Sequence, residues 1–287
     1  MPYLTRTGTV PRAGGTERFG FGVPGCAHPL LAPAEWAELA RPGTPLHWAV
    51  LDVDNGPGTR PDPHCLDAAG RLRNARERAE HDAGPRDTVR ASAGRLLGRL
   101  DLGHGTRPFG ELLDDARCYL EWYRVDGFYL DRCPAGRPGL PGVRRLTATL
   151  AAFLAEARGG RPGHLVLGHD THPYPGYAEA ADQLVTFRGA WSDYRWSQVA
   201  EWTADYPPSR FAHFVHGVPR THLDEAMRIA RWQGAGTIFF TDRTTDAAPG
   251  RGSGGAPGGG PGQTDPFATL PRYWDEIVSR IGPHISE

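Results

Sequence analysis

The stretch VDGFYLDRCP, residues 125–134, brings an unbroken apolar and aromatic run up to Asp131 and stops at Arg132, Cys133 and Pro134. A carboxylate delivered this way has no loop slack, so it points either into the interior that the strand faces or into a pocket at the strand's end. An unpaired carboxyl there could exchange protons or stabilise a developing cation. One paired with a guanidinium stays ionised and instead binds or orients a hydroxyl or amine. A carboxylate screened from water needs a partner, and guanidinium is the best available, so Arg132 or Arg188 is expected to hold Asp131.

Other short apolar runs end in residues of the same character: Asp52 and Asp54, then Asp101, His104 and Arg107, then His169, Asp170, His172 and Tyr174, then Arg188 and Trp191, then His216, and finally Asp242 with Arg243. Each aspartate also has a plain structural use as a helix cap or loop organiser. The histidines raise the question of metal. Metal barrels usually show tight pairs such as H-x-H on the first strand, whereas GVPGCAHP offers only His28 and GHDTHP places two histidines three apart in a loop. No metal is therefore expected, nor a cofactor, since no G-x-G-x-x-G opens a helix. Cys133 has no assignable base and reads as a buried thiol. Tyr174 and Trp191 offer flat faces on which sugar rings stack, while Asp54 and the other rim aspartates and arginines bind hydroxyls. Arg107, Arg132, Arg188 and Arg243 would equally suit a carboxylate or phosphate.

These residues need elements to hold them. Eight apolar runs recur along the chain: RFGFGVPG, LHWAVLDVDNGPG, RLLGRLDLGHG, DGFYLDR, HLVLGHD, QLVTFRG, RFAHFVHG and GTIFFTD. Between them lie helical patterns, clearest where Phe109, Leu112, Leu113, Ala116, Tyr119, Leu120 and Tyr123 share one face. Thr221 is expected to cap one helix that ends at Gly234, and Asp265 to cap the last with Pro266 at its first position. Near-continuous apolar strands alternating with helices mean a parallel sheet covered by helices, and eight units favour a closed (β/α)8 TIM-type barrel over an open sheet. The working rim is then the C-terminal one. Residues 1–18 are expected to form a flexible N-terminal segment and 19–287 the barrel. Within it, residues 70–92 read as a charged, solvated extension of the second helix, and the Gly/Pro-rich stretch at about 247–264 as a disordered loop.

All 32 basic residues are arginine and 33 are acidic, so the charges nearly cancel; no basic patch points to nucleic acid. No leader with an apolar core and no run of roughly 18 apolar residues is present, which predicts a cytoplasmic protein without a membrane span. Four scattered cysteines support neither a zinc knuckle nor a redox pair.

Taken in order, GVPGCAHPLLAPAEW, VDNGPG, GRLDLGHGTRP, DGFYLDRCP and the strand QLVTF before Arg188 resemble the spherulin-4 (spherulation-specific) family from about residue 20 to the last helix. The resemblance implies a barrel related to glycoside hydrolases, including enzymes that cut galactosaminogalactan and endo-α-1,4-galactosaminidases. It also implies that hydrolytic members follow the strand-four Asp with Glu and carry another Glu at the end of strand six. Asp131 keeps the first position, whereas Arg132 and Arg188 stand at the other two. Glycoside hydrolysis needs two carboxyl groups, one of them protonated, and arginine neither lends nor takes a proton near neutral pH. Asp101, Asp170 or Asp242 would have to replace the missing partner. The expectation is a glycoside-hydrolase-like barrel acting on or binding a carbohydrate. Asp131, Asp101 and Asp242 are its candidate catalytic residues; Arg132, Arg188, Trp191, His104, His169, Tyr174, His216, Asp54 and Arg107 are its candidate binding residues. The alternative is a pseudoenzyme or repurposed biosynthetic enzyme that binds a small anionic or polar ligand through the rim arginines.

Overall fold

The computed structural model describes residues 19–82, 94–245 and 265–281. Eight parallel strands, each bonded to the next and the last to the first, close a barrel: β1 Gly20–Val23, β2 Leu46–Leu51, β3 Arg95–Asp101, β4 Gly127–Asp131, β5 His164–Gly168, β6 Gln183–Ala190, β7 Phe211–His216 and β8 Thr237–Phe240. Every strand falls within one of the eight apolar runs, except that β6 extends one residue past QLVTFRG, to Ala190. Helices α1 (Pro33–Leu39), α2 (Pro63–Asp82), α3 (Phe109–Cys118), α4 (Leu140–Ala157), α6 (Leu223–Trp232) and α7 (Trp274–Ile281) cover the outside. The crossover after β5 is abbreviated to a 3-10 turn at Pro175–Glu179, and the one after β6 carries only α5, Trp191–Tyr194, and 3-10 turns at Glu201–Asp205 and Pro208–Arg210. Among the described residues no helix is long and apolar enough to cross a membrane.

The barrel interior is built in layers, because alternate residues of each strand point inward. In the lower layer the Trp48 indole donates to Gln183 Oε1 at 2.7 Å, and the Gln183 amide donates to Thr237 Oγ1 at 2.8 Å. Above it, Trp48, Tyr129 and Phe214 meet with ring centroids 5.8–6.5 Å apart. These large rings fit because small residues face them. A Cβ on Gly22 would lie 2.4 Å from the Trp48 ring, and one on Gly168 2.4 Å from the Tyr129 hydroxyl.

Two helix starts differ from expectation. Residues Arg220–His222 form a 3-10 turn, so α6 begins at Leu223 with no side-chain cap, and Thr221 lies inside the turn. Asp265 caps no helix: its carboxylate accepts from Phe267 N–H at 3.0 Å in a local turn, and α7 starts only at Trp274. Gly234 still ends α6 in the left-handed region with φ +74°. The expected flexible segment 1–18 and the loop 247–264 lie outside the described residues, as do 83–92 of the expected helix extension.

Candidate functional site

Strand β3 places Arg99 and Asp101 two residues apart on one face. That face is inward, since Gly98, the residue before Arg99 and so on the opposite face, backs onto the Tyr119 ring outside the barrel. On β4 the same alternation turns Tyr129 and Asp131 inward, and the ladder makes Asp101 and Asp131 direct neighbours. Two aspartates are thereby fixed side by side at the C-terminal rim. Each is claimed by arginine.

Asp131 is 5% exposed, and both of its oxygens are occupied. Oδ2 accepts from Arg99 Nε at 3.0 Å and from the same guanidinium's NH2 at 2.7 Å, while Oδ1 accepts from Arg188 NH1 at 3.0 Å. Arg99 extends its other nitrogen to Asp52 Oδ2 at 2.5 Å, and Arg188 lies 3.8 Å from Asp265. The result is an alternating chain, Asp52, Arg99, Asp131, Arg188, Asp265, across the barrel mouth. Burial alone would lower the pKa of Arg99, but the charges of Asp131 and Asp52 more than offset it and raise it. For Arg188 burial is likewise outweighed, by Tyr129, Asp131 and Asp265. Both guanidiniums are thus permanent cations, and each oxygen of Asp131 is paired with one of them.

Arg132 is not a partner of Asp131. It adopts left-handed backbone, φ +48°, which swings its side chain off the strand and over the rim to Asp101. There it makes a two-pronged pair: Nε to Oδ1 at 2.8 Å and NH2 to Oδ2. Burial pushes the Asp101 carboxyl up, but the bonds from Arg132 and from Gly103 N–H, with the charge of Arg99 behind them, hold it below the usual carboxylate range. Arg132 remains 46% exposed. This pair forms one wall of a shallow depression of about 310 Å³, lined also by Asn55, Gly103, Thr106 and Arg107.

The remaining expected residues divide by position. Arg107 lines the depression and is held by Asp115 at 2.6 Å. His104 and Asp170 face each other 3.8 Å apart over the end of β4, both exposed. Asp54 is exposed beside the depression, and Tyr174 is partly exposed with Arg137 over its ring. His169 is fully buried against Tyr177, with Nδ1 at 3.2 Å from Cys133 O, and Trp191 is buried beside Tyr194; both belong to the wall. His216 lies edge-on to Phe267. Asp242 follows β8, on the opposite side of the barrel from β4, where it accepts from Arg272 N–H at 3.1 Å and so cannot stand beside Asp131. The burial that silences His169 also lowers its pKa, to about 4, keeping it neutral. Cys133 is buried as well, and burial raises its thiol pKa far out of the reactive range.

Arg99, Thr106, Asp265 and Phe267 escaped the sequence reading of the site. Arg99 was the clearest to find, since it shares the inward face of RLLGRLD with Asp101. Asp265 and Phe267 come from the segment before α7: Phe267 packs on Phe214 and Phe239, and the Arg188 guanidinium lies 5.3 Å from its ring. This segment roofs the β6–β8 side of the mouth, which is why the open depression lies on the β2–β4 side.

The model of the spherulation-specific family 4 (Spherulin4) matches residues 23–281, nearly the whole barrel. The chain belongs to the spherulation-specific family 4. Among solved structures, the barrel of this family member is similar to that of Aspergillus clavatus Sph3 in complex with GalNAc. The TM-score is 0.63 at 20% sequence identity, over 92% of this chain and 97% of that one. An apo endo-beta-N-acetylglucosaminidase from Cordyceps militaris matches at TM-score 0.45 and 11% identity over 85% of this chain and 83% of that one, too distant to carry any inference. No curated protein matches the sequence.

Proposed function

We propose that this spherulin-4 barrel binds a carbohydrate in the depression between β2, β3 and β4, and that it does so without cleaving it by the two-carboxyl route. The observation that carries the reading is the occupation of both Asp131 oxygens by Arg99 and Arg188. A glycosidase needs one carboxyl that is protonated while the other is ionised. Here the two adjacent carboxylates are each bound by guanidinium, and Asp101 is held below the usual range. Proton donation by either would first have to break its guanidinium pairing.

Binding makes fewer demands. The Arg132–Asp101 pair presents donors and acceptors together at an open edge, the combination that reads vicinal hydroxyls; Thr106 and Asn55 add further polar groups. Because Arg107 and Arg132 are already neutralised by Asp115 and Asp101, a neutral polyol suits the depression better than an anion. Asp131 serves as the fixed anion that keeps Arg99 and Arg188 in place beneath. The complex of the structurally similar Sph3 makes GalNAc the natural first probe.

Calorimetric titration with GalNAc and with α-linked galactosamine oligosaccharides, alongside an assay for new reducing ends, tests this. Saturable binding that weakens at least about tenfold in Arg132→Ala, with no new reducing ends, is expected. Turnover by the native chain that Asp131→Asn abolishes would instead make it a hydrolase, and the binding-only reading would fall.

A further inference from the structure

The sequence offers His28 without a partner on strand one, but the fold supplies partners from elsewhere. The β1–α1 connection brings His28 against the first turn of α2, where Asp62 and Cys65 stand. The Nε2 atom of His28 lies 3.3 Å from Cys65 Sγ and 3.5 Å from Asp62 Oδ1. The three donor atoms all fall within 4.8 Å of one another. One nitrogen, one sulfur and one carboxylate oxygen from two separate connections converge on a single point.

We propose that His28, Asp62 and Cys65 form a binding site for a zinc-class divalent cation, with its fourth position open to water. Two of the three donor–donor spacings come close to the edges of a coordination tetrahedron. With metal–sulfur, metal–nitrogen and metal–oxygen bonds of about 2.3, 2.05 and 2.05 Å, a tetrahedron has an N···S edge of about 3.6 Å and an N···O edge of about 3.3 Å. The observed 3.3 and 3.5 Å lie within a few tenths of an ångström of these edges. A mixed N, S and O set is also what selects zinc over calcium or magnesium, which prefer all-oxygen shells. The side chains of His28 and Asp62 are 21% and 28% exposed, so an ion and a water molecule can reach a site whose sulfur is buried.

The surroundings give the site two recognisable properties. Asp62 Oδ1 already accepts from His64 and Cys65 N–H at 2.9 and 3.0 Å, which caps α2 and fixes the carboxylate in place, so an ion bound through this oxygen shares it with those two donors. In addition, His28 Nδ1 accepts from Leu30 N–H at 3.2 Å, so without metal the ring proton sits on Nε2. Coordination through Nε2 moves that proton to Nδ1 and releases the Leu30 N–H to solvent. Coordination of a cation by the Cys65 sulfur displaces its thiol proton. Loading therefore forms a metal–thiolate bond and gives one thiol proton to the buffer, with no change of oxidation state.

Titration of the full chain with Co(II) after chelator dialysis tests the assignment on the native protein alone. One equivalent should bind, with a thiolate-to-cobalt charge-transfer band, visible bands of tetrahedral intensity, and release of the thiol proton; Zn(II) should displace the cobalt and bleach the bands. Nitrogen NMR should show the His28 tautomer switching from Nε2–H to Nδ1–H. Cys65→Ser should abolish the charge-transfer band, while Asp62→Asn, which keeps a good helix cap, should weaken binding by more than about tenfold. No saturable band in the native chain, or an undiminished band in Cys65→Ser, would overturn the assignment. Should Cys65→Ser fail to fold, the native titration and the His28 tautomer decide the matter.

Discussion

Arg99 stands at the centre of the ionic chain, so its removal probes the whole arrangement. Arg99→Met keeps most of the aliphatic stem but deletes three hydrogen bonds to two carboxylates, at 2.5, 2.7 and 3.0 Å. At an effective dielectric constant near 20, a pair of unit charges about 4 Å apart is worth about 4 kcal/mol. Removing one partner of a buried pair costs about 3–5 kcal/mol, because the remaining charge is stranded. Asp131 retains Arg188, and the Arg99 side chain is 23% exposed, so the loss should fall toward about 2–4 kcal/mol. For a chain of this size that lowers the melting temperature by roughly 4–15 °C. The control is Arg132→Met, which breaks a pair whose arginine is 46% exposed and should cost at most about 1 kcal/mol. Urea unfolding of both variants, with Arg99→Met/Asp131→Asn expected to recover part of the loss, measures the difference. If Arg99→Met costs no more than Arg132→Met, the ionic chain does not hold the mouth together and the assignment of Asp131 as a fixed structural anion is wrong.

The other predictions concern the layers around the site. Burial lowers the pKa of His213 to about 3 and that of His169 to about 4, both below the unfolded value of about 6.5. The unfolded chain therefore binds more protons, and the stability these rings contribute is present above about pH 6.5 and is lost as the pH falls toward the folded values, with a slope of up to about 1.4 kcal/mol per pH unit each. Urea midpoints from pH 8 to 5 should fall less steeply in His213→Gln than in the native chain; parallel curves would mean that His213 does not stay neutral. Gly168→Ala should cost about 1–3 kcal/mol, because its methyl would lie 2.4 Å from the Tyr129 hydroxyl, and an unchanged melting temperature would show that the inner layer has slack.

How far the sequence carries depends on the range of the interaction. Each strand is announced by a short apolar run, because a parallel strand is buried on both faces and its neighbours along the chain already show it. Asp131 and the proximity of Arg188 follow from strand ends meeting at one rim. Arg99 needs one step more, the choice of which alternate residues face inward. The left-handed turn at Arg132 has no local signal, since no glycine marks it, and it diverts that arginine from Asp131 to Asp101. Capping residues mislead as well: Thr221 and Asp265 have the right side chains, but Thr221 lies inside a 3-10 turn and Asp265 in a local turn ahead of α7. The gathering of His28 with Asp62 and Cys65 is equally invisible along the chain, because its members come from two successive βα connections.

A crystal structure of the chain soaked with GalNAc tests the central claim most directly, since it shows where a sugar sits and what touches it. The account predicts intact sugar in the depression, its hydroxyls bonded to Asp101 and Arg132, with Arg99 and Arg188 still on Asp131 beneath. Sugar bound directly to an Asp131 carboxyl freed from both arginines, or bound only outside that depression, would contradict it.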